Sequence, residues 1–269
     1  MEQKIVVITG ASSGIGKALA LEFASRGSKI VLAARNLEKL KEVEKSILAL
    51  GSEVLTVKTD VSVEEDCKNL ITETVKRFGG VDVLINNAGI SMRALFTDLD
   101  LSVIKNLMDV NFWGTVFCTK FAMPYITKSK GSVVGVISIA GYIGLPARSG
   151  YSASKYAIRG FLDTLRVENL KTGVHVLVAA PGFTASNVRN VALTADGSMQ
   201  GETPRDESKM MSAEECARLI AKAVVNRKRE LILTFMEGKL TVWLKKWFPA
   251  LLERLIYNHM AKEPNSPLK

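Results

Sequence analysis

Thr9-Gly10-Ala11-Ser12-Ser13-Gly14-Ile15-Gly16 follows the apolar run Ile5-Val6-Val7-Ile8 and opens a stretch of helical period. A strand that turns through glycines into a helix leaves the free N–H groups of the helix start facing one point, a ready site for phosphate oxygens. In this reading Gly10 permits the tight turn, Gly14 lets the backbone approach a diphosphate, and Gly16 allows close helix–strand packing. The spacing is GxxxGxG, not the longer GxGxxG fingerprint. A purely structural turn would also use glycines. Position favours the functional reading, because the turn lies on the first strand-to-helix crossover, at the end of the sheet where open α/β folds bind ligands.

Outward from this turn, apolar runs of strand length alternate with helical patterns. The strands expected are Lys4–Thr9, Lys29–Ala34, Glu53–Lys58, Val81–Asn86, Ser132–Ser138, Val174–Ala180 and Glu230–Phe235. Their apolar residues are consecutive, as in strands buried on both faces. Between them lie patterns such as Gly14–Arg26 and Leu37–Leu50. Repeated strand–helix–strand units require right-handed crossovers. The expected architecture is a doubly wound parallel sheet of Rossmann type in three α/β/α layers. It has one catalytic domain over 1–236, an amphipathic helical extension over 237–262 and a flexible tail over 263–269. The polar stretch Ala185–Met211 interrupts the alternation and is long enough to be a binding loop or lid.

The bulk composition sets bounds. A chain of 269 residues, 47% hydrophobic and 23% charged, suits one large globular domain. The charge of +9 comes from 36 basic and 27 acidic residues scattered over most helices, as solvated faces would be. An anionic cofactor or acidic lipid also fits; nucleic acid does not, because no helix carries a basic stripe with interleaved aromatics. Cys67, Cys118 and Cys216 form no CxxC and read as buried thiols. With only His175 and His259, neither a histidine metal centre nor a Ser–His hydrolase is expected, and no metal is. The chain reaches a strand almost at once, without a charged n-region and long apolar h-region, so a cytoplasmic protein is expected.

Two further sites bear on chemistry. A site for NAD usually carries an acid at the end of the second strand, to bind the ribose 2′-hydroxyl. Here Ala34 holds that place and Arg35 follows, with Ser12 placed to help, so NADP(H) is expected; the plain alternative is a surface arginine. Tyr151 and Lys155 then stand four apart in Tyr151-Ser152-Ala153-Ser154-Lys155 and share one helix face. A nearby ammonium favours a phenolate, which would let Tyr151 exchange protons near neutral pH.

Together these motifs resemble the short-chain dehydrogenase/reductase family from Lys4 to about Phe235. Asn86-Asn87-Ala88-Gly89, Asn111 in the long fifth helix, Ser138 placed 13 positions before Tyr151, and Pro181-Gly182 appear in family order. The resemblance implies a catalytic tetrad. Ser138 would hydrogen-bond the substrate oxygen, and Tyr151 would transfer the proton. Lys155 would hold the nicotinamide ribose and lower the tyrosine pKa, and Asn111 would anchor a water for proton relay. It also implies cofactor contacts from Gly10, Ser12, Ser13, Gly14, Ile15, Gly16 and Arg35. Asp60 and Val61 would lie along the adenine, and Asn87, Ala88 and Gly89 beside the ribose and central strands. Pro181, Gly182 and Thr184 would face the carboxamide. The chain departs from the pattern at Phe183-Thr184-Ala185-Ser186: Thr184 stands at the family's aliphatic position and Ser186 at its threonine. That leaves the side-chain contact near the diphosphate open.

The implied activity is NADP(H)-dependent interconversion of an alcohol and a carbonyl compound. A 3-oxoacyl-[acyl-carrier-protein] reductase shares every motif, and a non-catalytic NADP-sensing regulator would keep the fold. The expected pocket wall, Tyr142–Leu145, Met92 and the loop after Gly182, shows no arginine cluster, so a lipophilic small-molecule substrate fits. A homodimer or homotetramer is implied, pairing through helices near Leu101 and Tyr151. In the extension, Trp243, Leu244, Trp247, Leu251, Leu255 and Ile256 recur at helical spacing among Lys239, Lys245, Lys246, Arg254 and Lys262. Pro249 should divide it into two helices, the second starting at or beside the proline. No apolar run there is long enough to span a bilayer. This face therefore covers the cleft, packs on a partner, or lies along 239–262 on a membrane surface.

Overall fold

The computed structural model describes residues 1, 3–184, 188–201 and 210–268. Among the described residues seven strands alternate with helices. They are β1 (Ile5–Thr9), β2 (Lys29–Ala34), β3 (Val54–Lys58), β4 (Val83–Asn86), β5 (Ser132–Val136), β6 (His175–Ala180) and β7 (Glu230–Ile232). The helices are α1 (Gly14–Ser25), α2 (Leu37–Ala49), α3 (Glu64–Phe78), α4 (Leu101–Leu107), α5 (Gly114–Ser129), α6 (Ser149–Glu168), α7 (Ala213–Val225), α8 (Thr241–Trp247) and α9 (Pro249–Ala261). The strands form one parallel sheet in the order β3-β2-β1-β4-β5-β6-β7. Strand order reverses between β1 and β4. A crevice opens there, outside the carboxyl ends of the strands.

Side chains alternate across each strand, so one strand feeds two cores. Val6 and Ile8 join Leu19, Phe23, Leu40 and Ile220 under α1, α2 and α7. Val7 joins Leu70, Cys118, Ile126 and Leu162 under α3, α5 and α6. Burial on both faces explains the consecutive apolar runs of the sequence. A third, smaller cluster of Met92, Ala94, Leu99, Val103, Leu107 and Leu193 packs against Tyr151. It is built by the polar loop folding back: Leu193 N–H donates to the Ser91 carbonyl at 2.9 Å and Arg93 N–H to the Leu193 carbonyl at 2.8 Å. This cluster forms a roof over the crevice.

All seven expected strands are present, several shorter than their apolar runs. The long helix carrying Asn111 is not uniform. Residues Met108–Trp113 form a π-helical stretch between α4 and α5. The wider turn lets the Asn111 side chain serve the 90-loop, accepting from Ile90 N–H at 2.8 Å and donating to Ile90 O at 3.0 Å.

Pro249 opens α9 at its first turn, where its missing N–H costs nothing. The extension's apolar series is divided between two faces: Val242, Leu244, Leu252 and Ile256 pack on the core, whereas Trp243, Trp247, Leu251 and Leu255 are exposed. The described residues 263–268 of the segment expected as a flexible tail are instead docked. Glu263 and Ser266 are buried, and Ser266 donates to the Met260 carbonyl at 2.9 Å. Its polar composition concealed this, because the partners that hold it are far away in sequence.

Candidate active site

The crevice is a cavity of about 440 Å³ that runs from Arg35 and Lys39 at one end to Tyr151 and Arg189 at the other. Its near wall is the glycine turn. Gly10 and Gly14 have φ of 66° and 51°, and a Cβ on Gly16 would collide with the Gly10 carbonyl. The turn can close only without side chains at these points. Ser12, Ser13 and Ile15 line the same wall. Beneath it, the Thr9 hydroxyl accepts from the N–H groups of Asn87 and Ala88, each at 3.0 Å. The Asn87 amide donates back to the Thr9 carbonyl at 3.0 Å. Thr9 was not among the expected site residues; its signal was its place at the end of the first strand.

At the far end, Arg35 is exposed and forms no ion pair with any described residue. Asn36 caps α2, its side chain accepting from Lys39 N–H at 2.9 Å, and the cap brings Lys39 to the cavity beside Arg35. Lys39 was missed in the sequence, although it stands four after Arg35 at a helix start. Asp60 and Val61 line the adjoining wall. One Asp60 oxygen is taken by Ser62, whose hydroxyl donates at 2.7 Å, and Val61 is fixed against Gly114.

The opposite end brings together Ser138, Tyr151 and Lys155. Ser138 has extended backbone and caps the short helical turn Ile139–Gly141, accepting from Ala140 N–H at 3.2 Å. Tyr151 and Lys155 project from the first turns of α6. Burial pushes the Tyr151 hydroxyl above the usual phenol range; a hydrogen bond with Ser138 and the charges of Arg148 and Arg189 oppose this. The cations that act on that hydroxyl include these two arginines. Lys155 Nζ lies instead over the tyrosine ring, 5.7 Å from its centroid. It donates to the Val136 carbonyl at 3.2 Å, and burial brings its ammonium down to about 8.

Asn111 does not line the cavity. It is fully buried and donates to the Ser154 hydroxyl at 2.9 Å, which in turn donates to the Tyr151 carbonyl at 2.8 Å. Asn111 therefore ties the 90-loop to the first turn of α6. It meets Lys155 only across Gly89, where an added Cβ would lie 3.1 Å from Asn111 Oδ1 and 3.3 Å from Lys155 Nζ.

Asn87, Ala88, Gly89, Pro181, Gly182 and Thr184 all line the cavity. The Thr184 hydroxyl donates to the Gly182 carbonyl at 3.4 Å. Ser186 lies outside the described residues. The expected substrate wall needs correction. Met92, Tyr142 and Ile143 are buried in the roof and core, and the cavity is lined there by Ile90, Leu145, Phe183, Val188 and Val191. Two arginines the sequence reading did not bring to the pocket, Arg148 and Arg189, also line it. Both are engaged by the protein: Arg148 pairs with Glu263, and Arg189 donates to the Thr184 carbonyl at 3.1 Å.

These residues fit a nicotinamide dinucleotide. The glycine cradle leaves room for a diphosphate. The Lys155 ammonium spends one of its three donors on Val136, leaving two for ribose hydroxyls.

The Lys155 burial has a testable sign. Between about 8 and the ordinary lysine value of 10.5 the unfolded chain keeps a proton that the folded protein has released, so stability rises with pH there. Below that window the folded state bears the full cost of the ammonium. Lys155→Met should raise the unfolding free energy of the cofactor-free protein at neutral pH, read from urea denaturation, by roughly 3 kcal/mol at most. The gain should shrink as pH is raised through the window. A variant less stable at neutral pH would show that the bond to Val136 outweighs the burial.

Comparison with known proteins agrees with this geometry. The model of the short chain dehydrogenase family matches residues 4–196. A protein of Arabidopsis thaliana named 11-beta-hydroxysteroid dehydrogenase-like 4A is 40% identical, the alignment covering 93% of this chain and 82% of that one. The dehydrogenase/reductase SDR family member 7B of Mus musculus is 34% identical over 99% of this chain and 84% of its own. Among solved structures, a short chain dehydrogenase/reductase from Burkholderia phymatum in complex with NAD superposes with a TM-score of 0.83 at 26% identity, covering 93% of this chain and 95% of that one. An alcohol dehydrogenase from Thermococcus sibiricus complexed with 5-hydroxy-NADP gives 0.76 at 25% identity, covering 86% and 96%. Fold, motifs and relatives agree: the chain belongs to the short-chain dehydrogenase/reductase family and is an oxidoreductase that uses a nicotinamide cofactor.

Proposed function

We propose that the protein uses NADP(H) to interconvert a secondary alcohol and a ketone on a lipophilic, steroid-like substrate, with Tyr151 as general acid and base. One observation carries the reading. A single cleft holds the Arg35–Lys39 pair at one end and the Ser138, Tyr151 and Lys155 side chains at the other. The cofactor, when bound, supplies or accepts the hydride. Ser138 donates to the substrate oxygen and stabilises charge that grows there. Tyr151 gives that oxygen its proton in reduction and takes it back in oxidation. Lys155 binds the ribose, and Asn111 holds the α6 turn in register. Ile90, Leu145, Phe183, Val188 and Val191 make the substrate wall mostly apolar, with Arg148 and Arg189 held by protein partners. The names of the plant relatives, hydroxysteroid dehydrogenases, support the same substrate class.

Cofactor choice is tested at Arg35. Charge-assisted bonds to a 2′-phosphate are worth about 1.5–3 kcal/mol, about ten- to a hundredfold in affinity. Arg35→Ala should weaken NADPH by that factor and leave NADH nearly unchanged in a fluorescence titration, and Lys39→Ala should do the same more mildly. Equal losses for both cofactors would refute the assignment.

The reaction itself is tested by a turnover screen of hydroxysteroids, aliphatic ketones and acetoacetyl thioesters with NADPH. Steroid-like substrates should lead, and Tyr151→Phe should nearly abolish their turnover with cofactor binding intact. Preference for the thioester would favour the acyl-carrier reductase. No turnover at all, with cofactor still bound, would favour a sensor.

We further propose a peripheral contact with anionic membranes through α8 and α9, on a homo-oligomer paired through α5 and α6. Among the described residues no helix is long and apolar enough to cross a membrane. The outward face of α8 and α9 nevertheless exposes Trp243, Trp247, Phe248, Leu251 and Leu255 beside Lys245 and Lys246. Such a mixture suits a headgroup layer. Phe112 and Trp113 of the π-helical stretch, Phe117 of α5 and Phe161 of α6 form a partly exposed aromatic group. Light scattering should report a dimer or tetramer. The protein should co-sediment with phosphatidylserine vesicles, and Trp243→Ser/Trp247→Ser should not, while keeping the same oligomeric mass. Unaltered sedimentation of the double variant would refute the lipid contact.

A further inference from the structure

The segment after α9 reaches the pocket. The Glu263 carboxylate lies 3.5 Å from Arg93 Nη2 and 3.5 Å from Arg148 Nη2, with all three side chains largely out of solvent. Arg93 also donates to the Pro264 carbonyl at 2.6 Å. One carboxylate thus bridges the roof, which carries Arg93, to the residue that precedes α6. A buried bridge of this kind returns little net stability, because desolvating its charges costs about what their attraction supplies. Its consequence lies in what Arg148 faces.

Arg148 stands three residues before Tyr151, at the N-cap position of α6, where its carbonyl accepts from Ser152 N–H at 2.8 Å. It lines the cavity, and its charge acts on the Tyr151 hydroxyl. The other groups facing that tyrosine are Ser138 from the end of β5, Arg189 from the loop after β6, and Lys155 over its ring. Arg148 is therefore a cation near Tyr151 whose effective charge a second side chain, Glu263, controls.

We propose that Glu263 is a positioning residue of the active site: as the buried counter-charge shared by Arg93 and Arg148, it sets how much positive charge Arg148 presents to the Tyr151 hydroxyl. The inference rests on Tyr151 being the proton-transfer group. It makes the C-terminal segment part of the acid–base apparatus, although Glu263 touches neither substrate nor cofactor. Through Arg93 the same carboxylate couples that charge to closure of the roof.

Two substitutions have opposite expected signs. Glu263→Gln keeps an oxygen for both guanidinium groups and removes the negative charge. Arg148 then acts at full strength and the phenolate is favoured. Arg148→Gln removes the cation and favours the neutral phenol. The readout is the near-ultraviolet phenolate absorbance of Tyr151, taken as the difference from each protein's Tyr151→Phe counterpart, with NADP+ present. Glu263→Gln should move the titration to lower pH and Arg148→Gln to higher pH, each by about 0.5 to 1 unit, a three- to tenfold change in phenolate at fixed pH. NADP+ affinity should stay near that of the unmodified protein in both, which verifies folding. The rising limb of alcohol oxidation against pH should follow the same two directions. A purely structural Glu263 would alter stability with no displacement of the titration. That result, or displacement of both variants in one direction, overturns the proposal. Turnover that survives Tyr151→Phe would overturn the assignment of Tyr151 instead, and the absorbance titration distinguishes the two failures.

Discussion

The Thr9 hydroxyl, accepting from two consecutive backbone N–H groups of the 87–88 segment, is the contact on which the site depends. It ties the carboxyl end of β1 to that of β4, the two strands between which chain order reverses. The Asn87 amide returns a bond across the same gap, and a Cβ on Gly10 would come within 3.0 Å of that nitrogen. The glycine turn and the 87–89 loop thus approach as closely as bare backbone permits. The turn shapes the diphosphate cradle on one side, and the loop places Gly89 between Asn111 and Lys155 on the other. A single clamp serves both ends of the cleft.

Burial acts on the two titratable residues of α6 in opposite senses, because one is charged when protonated and the other when deprotonated. It raises the tyrosine and lowers the lysine to about 8. On a rising pH scale, the protein without cofactor loses the lysine proton first. A phenolate therefore needs more positive charge near the hydroxyl than Lys155 supplies from its place over the ring. Arg148 and Arg189 provide part of it.

What the sequence made legible follows from the range of the forces concerned. The seven strands could be read because burial on both faces demands uninterrupted Val and Ile, a local signature. The glycine turn, Ser138, Tyr151 and Lys155 could be placed because each stands at a strand end or helix start. Asn111 was found without its setting: a π-helical stretch adds one residue to a turn and leaves no compositional trace. Arg148, Arg189 and Glu263 escaped as site residues for a different reason. Each lies outside the motifs, and only the folded chain brings Glu263 to Arg148 and both arginines to the cavity. Lys39 is intermediate: it stands at a helix start four residues after Arg35, but the cavity it meets is formed by segments distant in sequence.

The separation of those contacts along the chain also orders the folding of the molecule. The sheet assembles from neighbouring strand–helix units, whose loop-closure cost is modest. The roof requires residue 193 to return to residues 91–93, and the Arg93–Glu263 pair closes a span of 170 residues. Such contacts gain nothing until the intervening chain is already in place. A late species should therefore exist in which the dinucleotide cradle is formed while the substrate end stands open, its apolar wall and the Met92–Leu193 cluster exposed. That species is the one most prone to self-association, and a cofactor that binds the finished cradle would draw the population past it by mass action.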